Sequence, residues 1–271
     1  MKIMMINPPQ NKLRREFQQR QAARLGLDIE FIDGVSVSDL SEATLQKAAN
    51  EWTRKVRAQD IACTFSHRVV WKKAAAQTEK VCVLEDDVLL SDGFKSVLDY
   101  IDSREEPWNY VYDLEYAQYK HTVGRNPVWQ NPTLQVVSRK IFKNKRGAAA
   151  YILGPKVAER LLKEATHYSM MEAFLWTRNW TQQMQVEPCQ AVQLDVFDKE
   201  ADFGPQELNP PSPQAYAVYK NSSWTKAKLK RLSVSFAESG LFCQGLLFGE
   251  RRPLSIRSEQ FLLPAAYAES P

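Results

Sequence analysis

Three consecutive acidic residues, Glu85, Asp86 and Asp87, interrupt an otherwise apolar run over residues 81–90. Like charges this close repel, and burying unpaired carboxylates is costly, so a cation is expected beside them. Carboxylate oxygens at the end of a strand suit a hard dication such as Mn²⁺ or Mg²⁺, and phosphate oxygens of a ligand would complete its coordination. The alternative is a solvated acidic turn that caps the next helix.

The elements around this acidic triplet alternate between strand and helix. Strand-like apolar runs and helix-like patterns follow each other along the chain, with strands at residues 2–6, 28–35 and 81–84 and helices at residues 11–27 and 59–77. This alternation predicts an α/β domain with a mostly parallel central sheet. Open α/β sheets bind ligands beyond the carboxyl ends of their strands, where the triplet and Asn7 are expected to meet.

Composition and charge divide the chain in two. Of its 271 residues, 44% are hydrophobic and 25% are charged, which is typical of a globular protein with a sizeable core. Residues 216–271 carry eight basic and four acidic side chains, whereas the rest carries 28 of each. We therefore predict a main domain over residues 1–205, and a Pro-rich linker with a basic and apolar C-terminal segment over residues 206–271.

The basic segment over residues 220–231 contains interleaved aromatic and apolar residues. This pattern suits an anionic membrane surface, and it would also suit nucleic acid or a solvated terminal helix. We adopt the membrane surface and expect no nucleic-acid partner. Four scattered cysteines without a CxxC pair indicate reduced thiols. With no secretory signal and no spanning apolar run, we expect a cytoplasmic protein, peripheral on the inner face of the inner membrane.

Six short patches occur in an order that resembles glycosyltransferase family 25. Over about residues 1–195 they read INPPQNKLRR, FIDGV, FSHRVVWKK, VLEDDVLL, GAAAYIL and EPCQAVQLD. The Ser-His helix followed by the Glu-Asp-Asp strand is the most specific part. The family includes bacterial lipooligosaccharide galactosyl- and glucosyltransferases and relatives that glycosylate collagen. The resemblance implies a sugar-nucleotide-dependent transferase with a GT-A-like nucleotide-binding fold.

The resemblance also assigns roles to the triplet. Glu85 and Asp87 would occupy the two acidic places of an Asp-x-Asp metal motif. Asp87 would bind Mn²⁺ directly, and Glu85 would contact the metal or the nucleotide ribose. Asp86 is counted with the cofactor-binding residues, but it is expected to point to the other side of the strand and to hold the local structure.

Other patches supply candidate donor-site residues. Asn7 and Arg14 match the start of the family pattern, and the planar guanidinium suits a diphosphate. Ser66 and His67 match the family's Ser-His pair and are expected at the donor site. The alternative for this pair is a buried histidine and serine satisfied by the protein itself, because their helix is apolar on much of its surface.

A general base must accept the proton of the acceptor hydroxyl. Glu172 stands where the family often has an Asp, and it is our first candidate; an exposed helix carboxylate is the alternative. Asp113, after a predicted strand, is the competitor. Gln193 or Asp195 is expected to line the acceptor side.

Together with these residues, the resemblance implies an inverting, metal-dependent transferase. It would move a hexose, with galactose as the expected sugar, from a UDP-sugar to a lipooligosaccharide or lipopolysaccharide core acceptor. Two other classes stay open: a divalent-metal phosphoesterase that uses the same acids, and a non-enzymatic protein that binds nucleic acid or membrane through its basic segment.

Overall fold

The computed structural model describes residues 1–144, 147–197 and 217–264. Within these ranges the chain forms fifteen strands and eight α-helices. In chain order they are β1 (Lys2–Asn7), α1 (Lys12–Leu25), β2 (Ile29–Asp33), α2 (Glu42–Glu51), β3 (Val56–Arg57), α3 (Ala58–Ala75), β4 (Val81–Glu85), β5 (Val88–Leu90), α4 (Phe94–Asp102), β6 (Tyr110–Asp113), β7 (Glu115–Tyr116), β8 (His121–Gly124), β9 (Trp129–Asn131), β10 (Val136–Lys143), β11 (Ala150–Leu153), α5 (Pro155–Glu164), α6 (Met171–Leu175), β12 (Gln182–Glu187), β13 (Ala191–Gln193), α7 (Leu194–Phe197), β14 (Val218–Tyr219), α8 (Trp224–Phe248) and β15 (Gly249–Arg252).

Ten of these strands form the central sheet. Nine follow the order β15-β8-β10-β12-β6-β11-β4-β1-β2, and β9 pairs with β10. The pairs β1–β2, β1–β4 and β6–β12 are parallel, whereas β11 lies antiparallel between β4 and β6. Among the described residues most strands of this sheet point the same way, with β11, β10 and β15 reversed. The predicted α/β fold with a mostly parallel central sheet is confirmed.

Both faces of the sheet are covered, so the central strands are apolar on both sides. On β4, Val83 packs with Trp71 of α3 and with residues of α5. The next residue, Leu84, packs with Phe94 and other residues of α4 on the opposite face. This alternation explains the continuous apolar run that precedes the acidic triplet.

Two mainly apolar runs of the sequence are each divided between two sheets. The run over residues 81–90 turns at Asp86 and Asp87 and continues as β5, which belongs to a small sheet of order β5-β13-β7. The run over residues 184–194 likewise divides into β12 and β13 around Pro188, which has no N–H to donate to a strand partner. The acidic pair is therefore the corner between the two sheets.

The described C-terminal residues pack against the first part of the chain. Strand β15 forms the edge of the central sheet beside β8, and β14 pairs with β3. Phe261 is buried in a cluster with Phe17 of α1. The predicted linker and the boundary between residues 205 and 206 lie outside the described residues. No helix in the described part of the chain is long and apolar enough to cross a bilayer.

Candidate active site

The carboxyl ends of three parallel strands meet at one edge of the sheet. Strand β1 ends at Asn7, β4 ends at Glu85 and β6 ends at Asp113. In the pairing register Ile6 lies opposite Glu85, and Asn7 lies opposite Asp33 of β2. These polar side chains therefore lie at the edge of the sheet that the strand order predicted to be the ligand-binding side.

Asp86 is held by side chains of the chain itself. Its Oδ1 accepts a hydrogen bond from Arg14 Nη1 at 2.6 Å. Its Oδ2 accepts from Asn7 Nδ2 at 2.8 Å and from Asn11 Nδ2 at 3.2 Å. Gln18 Nε2 donates to the Asp86 carbonyl oxygen at 3.0 Å. Asp86, Asn7 and Arg14 thus anchor the start of α1 to the acidic corner.

Asp87 has a different environment. Its Oδ2 lies 3.7 Å from Arg14 Nη1, and its buried Oδ1 has no hydrogen-bond partner among the described residues. Burial raises the pKa of Asp87 to about 7. Arg14 opposes this rise, while the charges of Glu85, Asp86 and Asp195 add to it. Arg14, the cation beside this carboxylate, hydrogen-bonds to Asp86 instead, so a bound dication would relieve the remaining negative charge.

Glu85 turns toward α3. Its Oε1 lies 2.9 Å from His67 Nε2 and accepts a hydrogen bond from Cys63 Sγ at 3.6 Å. Burial tends to raise the pKa of Glu85, but the hydrogen bonds from His67 and Cys63 and the charge of Arg14 outweigh it and lower the pKa below its ordinary value. Glu85 is therefore an ionised group whose orientation is fixed.

Ser66 and His67 face different surroundings, although they are adjacent. His67 is fully buried, and its Nδ1 lies 2.9 Å from the Tyr151 hydroxyl oxygen; Trp71 Nε1 donates to this oxygen at 2.9 Å. Ser66 Oγ donates to the Ala62 carbonyl at 2.9 Å and accepts from the Val35 N–H at 2.8 Å. His67 thus reaches the acidic cluster, whereas Ser66 joins α3 to the loop after β2.

Glu172 lies in the short helix α6. Its carboxyl group is half-buried. Burial raises the pKa of Glu172, and the charges of Glu85 and Asp60 raise it further. An acid with a raised pKa at a partly open position has the properties of a general base.

Asp113 lies at the same edge of the sheet but below the surface. It is only 1% exposed, and its oxygens accept hydrogen bonds from Asn144 Nδ2 at 2.6 Å and from the Glu115 N–H at 2.9 Å. Burial raises the pKa of Asp113 well above its ordinary value. The Asp113 carboxyl group is therefore enclosed, whereas Glu172 is partly exposed.

Two further groups belong to this site. Cys63, which was predicted only to be a reduced thiol, faces Glu85. Its spacing of four residues from His67 on a helix is the sequence feature from which this position could have been predicted. Asp195, which we expected on the acceptor side, contributes its charge at Asp87. The backbone supports this proximity, because the Leu194 N–H donates to the Asp87 carbonyl at 2.8 Å.

Several solved structures resemble this chain, but with low TM-scores and low sequence identity. The inositol-1-phosphate CTP transferase from T. maritima is 11% identical, with 76% of this chain and 93% of that chain covered and a TM-score of 0.38. A glycosyltransferase involved in glycosylation of the major capsid of PBCV-1 is 7% identical, with 84% and 98% covered and a TM-score of 0.34. The galactosyltransferase LgtC is 14% identical, with 87% of this chain and 96% of that chain covered and a TM-score of 0.33.

Sequence comparison is more specific. A curated relative, "Glycosyltransferase 25 family member" from Aedes aegypti, is 32% identical in an alignment of 181 positions that covers 60% of this chain. The match spans 28% of that relative's length. The profile of the family described as "Glycosyltransferase family 25 (LPS biosynthesis protein)" matches residues 1–176, which include α3, the acidic corner and Glu172. This chain belongs to glycosyltransferase family 25.

Proposed function

We propose that this chain transfers a hexose, with galactose as the sugar, from a UDP-sugar to a lipooligosaccharide or lipopolysaccharide core acceptor with inversion of configuration. Family membership supports glycosyl transfer. One observation carries the metal-dependent part of the proposal: Asp87 is a half-buried carboxylate at the ligand edge of the sheet, and its buried Oδ1 has no hydrogen-bond partner among the described residues.

The residues at the corner fit Mn²⁺ or Mg²⁺. Oxygen donors suit these hard cations, and Asp87 offers an oxygen with no competing donor in the part of the chain that is described. Asp195 adds a second negative charge beside it. Glu85 is held by His67 and Cys63, so its contribution would be charge, or contact with the nucleotide ribose. A bound dication would neutralise the diphosphate and stabilise the charge that develops on departing UDP.

The chain's own groups would then divide the remaining work. Arg14, whose side chain is 12% exposed and fixed by Asp86, adds positive charge next to the diphosphate. Glu172 accepts the proton of the acceptor hydroxyl as that oxygen attacks the anomeric carbon. The bond from this carbon to the diphosphate oxygen breaks on the opposite face, so the sugar inverts and UDP leaves with the bonding electron pair.

The basic segment over residues 220–231 would bring the enzyme to an anionic membrane surface on the cytoplasmic side of the inner membrane. Lys220, Lys228 and Arg231 are exposed. Leu229 and Leu232, on the same helix, are each 67% exposed. Cationic heads beside exposed apolar side chains suit the headgroup region of an anionic bilayer, where a lipid-linked acceptor would be found.

The donor proposal is tested by thermal-shift screening of UDP-, GDP- and CMP-sugars with and without Mn²⁺. We expect stabilisation by UDP-galactose that requires the metal and is lost in Asp87→Ala, and we expect transfer to a core oligosaccharide acceptor only under the same conditions. Near-normal turnover by folded Asp87→Ala would refute the metal assignment. Release of phosphate from simple esters without an acceptor would instead support the phosphoesterase.

The membrane proposal needs a separate measurement, flotation with vesicles of neutral or anionic lipid. We expect binding to anionic vesicles that weakens with salt and is reduced in the double variant Lys228→Glu/Arg231→Glu. Equal binding to neutral vesicles, or unchanged binding by the double variant, would contradict it. Thermal stabilisation by the donor should be the same in this variant as in the unaltered protein.

A further inference from the structure

A second group of metal-binding atoms lies beside the acidic corner and faces α3. It consists of the Cys63 thiol, the His67 imidazole and the Glu85 carboxylate, whose ligand atoms all lie within 4.8 Å of one another. Cys63 and His67 are four residues apart on α3 and therefore project from one face of the helix toward the end of β4. Three potential ligands thus come from two rigid elements.

The donor set differs from the one at Asp87. Sulfur and imidazole nitrogen prefer zinc and similar softer metals, whereas Mn²⁺ and Mg²⁺ prefer oxygen. Ligand atoms of a tetrahedral zinc site lie roughly 3.3–3.7 Å apart, given its usual bond lengths. Glu85 Oε1 lies 2.9 Å from His67 Nε2 and 3.6 Å from Cys63 Sγ, so small side-chain movements would admit the ion.

The surroundings also suit a dication. Cys63 is partly exposed, and the Glu85 side chain is 20% exposed, so an ion can reach both. The charges of Glu85, Glu172 and Asp87 act on the Cys63 thiol. These negative charges disfavour a bare thiolate but favour a thiolate bound to a dication.

His67 can present the nitrogen that the ion needs. A metal at Nε2 requires the ring proton on Nδ1, and the Tyr151 hydroxyl oxygen lies 2.9 Å from Nδ1, where it can accept that proton in a hydrogen bond. Trp71 Nε1 donates to the same oxygen and holds it in place. The ligand is therefore supported from behind by two buried aromatic side chains.

We propose that Cys63, His67 and Glu85 form a site for Zn²⁺ that is distinct from the hard-metal position at Asp87. Binding releases the thiol proton of Cys63 to solvent, and a water molecule or a neighbouring group takes the fourth position. Because Glu85 would bind Zn²⁺ instead of contacting the sugar-nucleotide donor, Zn²⁺ would inhibit transfer. This inhibition rests on the proposed function, whereas Zn²⁺ binding itself does not.

Binding is tested with Co²⁺ as a spectroscopic probe on the full chain without donor. We expect a thiolate-to-cobalt charge-transfer band in the near ultraviolet that Zn²⁺ abolishes and excess Mn²⁺ does not. Cys63→Ser should lose the band and weaken Zn²⁺ binding by at least ~100-fold, since loss even of groups that support a ligand weakens binding by ~10–100-fold. The matched control is Cys243→Ser, because Cys243 is exposed on α8 and should leave the band intact.

A second measurement uses the unaltered protein and does not depend on the folding of a variant. Zn²⁺ should protect Cys63, but not Cys243, from alkylation, as read by peptide mass spectrometry. Absence of the thiolate band in the unaltered protein, its persistence in Cys63→Ser, or equal alkylation of Cys63 with and without Zn²⁺ would each overturn the site. None of these results bears on Mn²⁺-dependent transfer, which is measured separately.

Discussion

Replacing Asp87 with asparagine should make the metal-free protein more stable while it abolishes transfer. The carboxylate is ionised against burial and against the charges of Glu85, Asp86 and Asp195, and only Arg14 opposes them. Asparagine has nearly the same shape and no charge. It therefore removes the unfavourable ionisation, and it replaces the charged carboxylate that the proposal assigns to the metal with a neutral amide, whose oxygen is a weaker ligand.

The magnitude follows from the pKa of Asp87, which rises from 3.8 to about 7 on folding. At 1.36 kcal/mol for each tenfold change in the ionisation constant, the ionised form is disfavoured by about 4 kcal/mol. The folded state holds its proton more tightly, so the native carboxylate destabilises the fold progressively as the pH rises from 3.8 to about 7, and the effect is constant above that. Asp87→Asn should therefore stabilise by about 4 kcal/mol near pH 8 and by about 1–2 kcal/mol near pH 5.

Urea unfolding in the presence of a chelator measures this difference at both pH values. The neighbouring residue provides the matched control, because Asp86 accepts hydrogen bonds from Asn7, Asn11 and Arg14. Asp86→Asn removes the negative charge that strengthens these hydrogen bonds, and it should destabilise the fold by about 1–3 kcal/mol. Two chemically identical substitutions at adjacent positions are thus expected to act in opposite directions.

Several results would refute this reasoning. If Asp87→Asn destabilises at both pH values, then Asp87 has a favourable partner that the geometry does not provide. If its stabilisation does not grow with pH, the ionisation of Asp87 is not the cause. If the folded variant still shows metal-dependent binding of UDP-sugar, Asp87 is not the ligand.

Three further predictions concern the base, an ion pair and a glycine. Glu172→Gln should lower kcat by ~10²–10⁴-fold with donor binding unchanged, and an equal loss of donor affinity in a thermal-shift titration would contradict its role as the base. Arg252→Ala removes the two hydrogen bonds that Arg252 Nη1 and Nη2 donate to the buried Glu187 carboxylate at 2.8 and 2.6 Å, and it should destabilise the fold by about 2–4 kcal/mol. An unchanged urea midpoint would count against this prediction. Gly147→Ala places a Cβ 2.8 Å from Glu115 Oε2 at a φ of 85°, and it should destabilise by ~1–3 kcal/mol. Gly26→Ala, at a φ of 62° with open space around it, is the control, and calorimetry should show a smaller loss of stability for it than for Gly147→Ala.

The sequence contained enough information to locate the ligand edge. Parallel strands end at the same edge of a sheet, so Asn7 and Glu85 could be brought together from strand order alone. The apolar pattern of residues 59–77 likewise predicted a buried helix, and His67 is fully buried there. These features depend on local periodicity and on a general rule of topology, which a single sequence carries.

Other features depend on partners that a local pattern does not specify. Strands β5 and β13 each continue an apolar run that begins in a strand of the central sheet, and periodicity reports the local conformation but not the sheet that a strand joins. Asp86 and Asp87 are chemically identical in the sequence, and only the position of α1 gives the first of them its hydrogen bonds. Asp113 lies at the expected edge, but it is enclosed because Asn144 and the backbone of Glu115 cover its carboxyl group.

The position of β15 at the edge of the central sheet has a practical consequence for anyone producing shorter forms of this protein. Ending the chain at residue 205 would remove the strand that pairs with β8 and would uncover Phe17 by deleting Phe261. The bare backbone of β8 would then be free to pair with other molecules. Such a truncated chain is expected to form insoluble aggregates, and soluble production should retain residues 249–261.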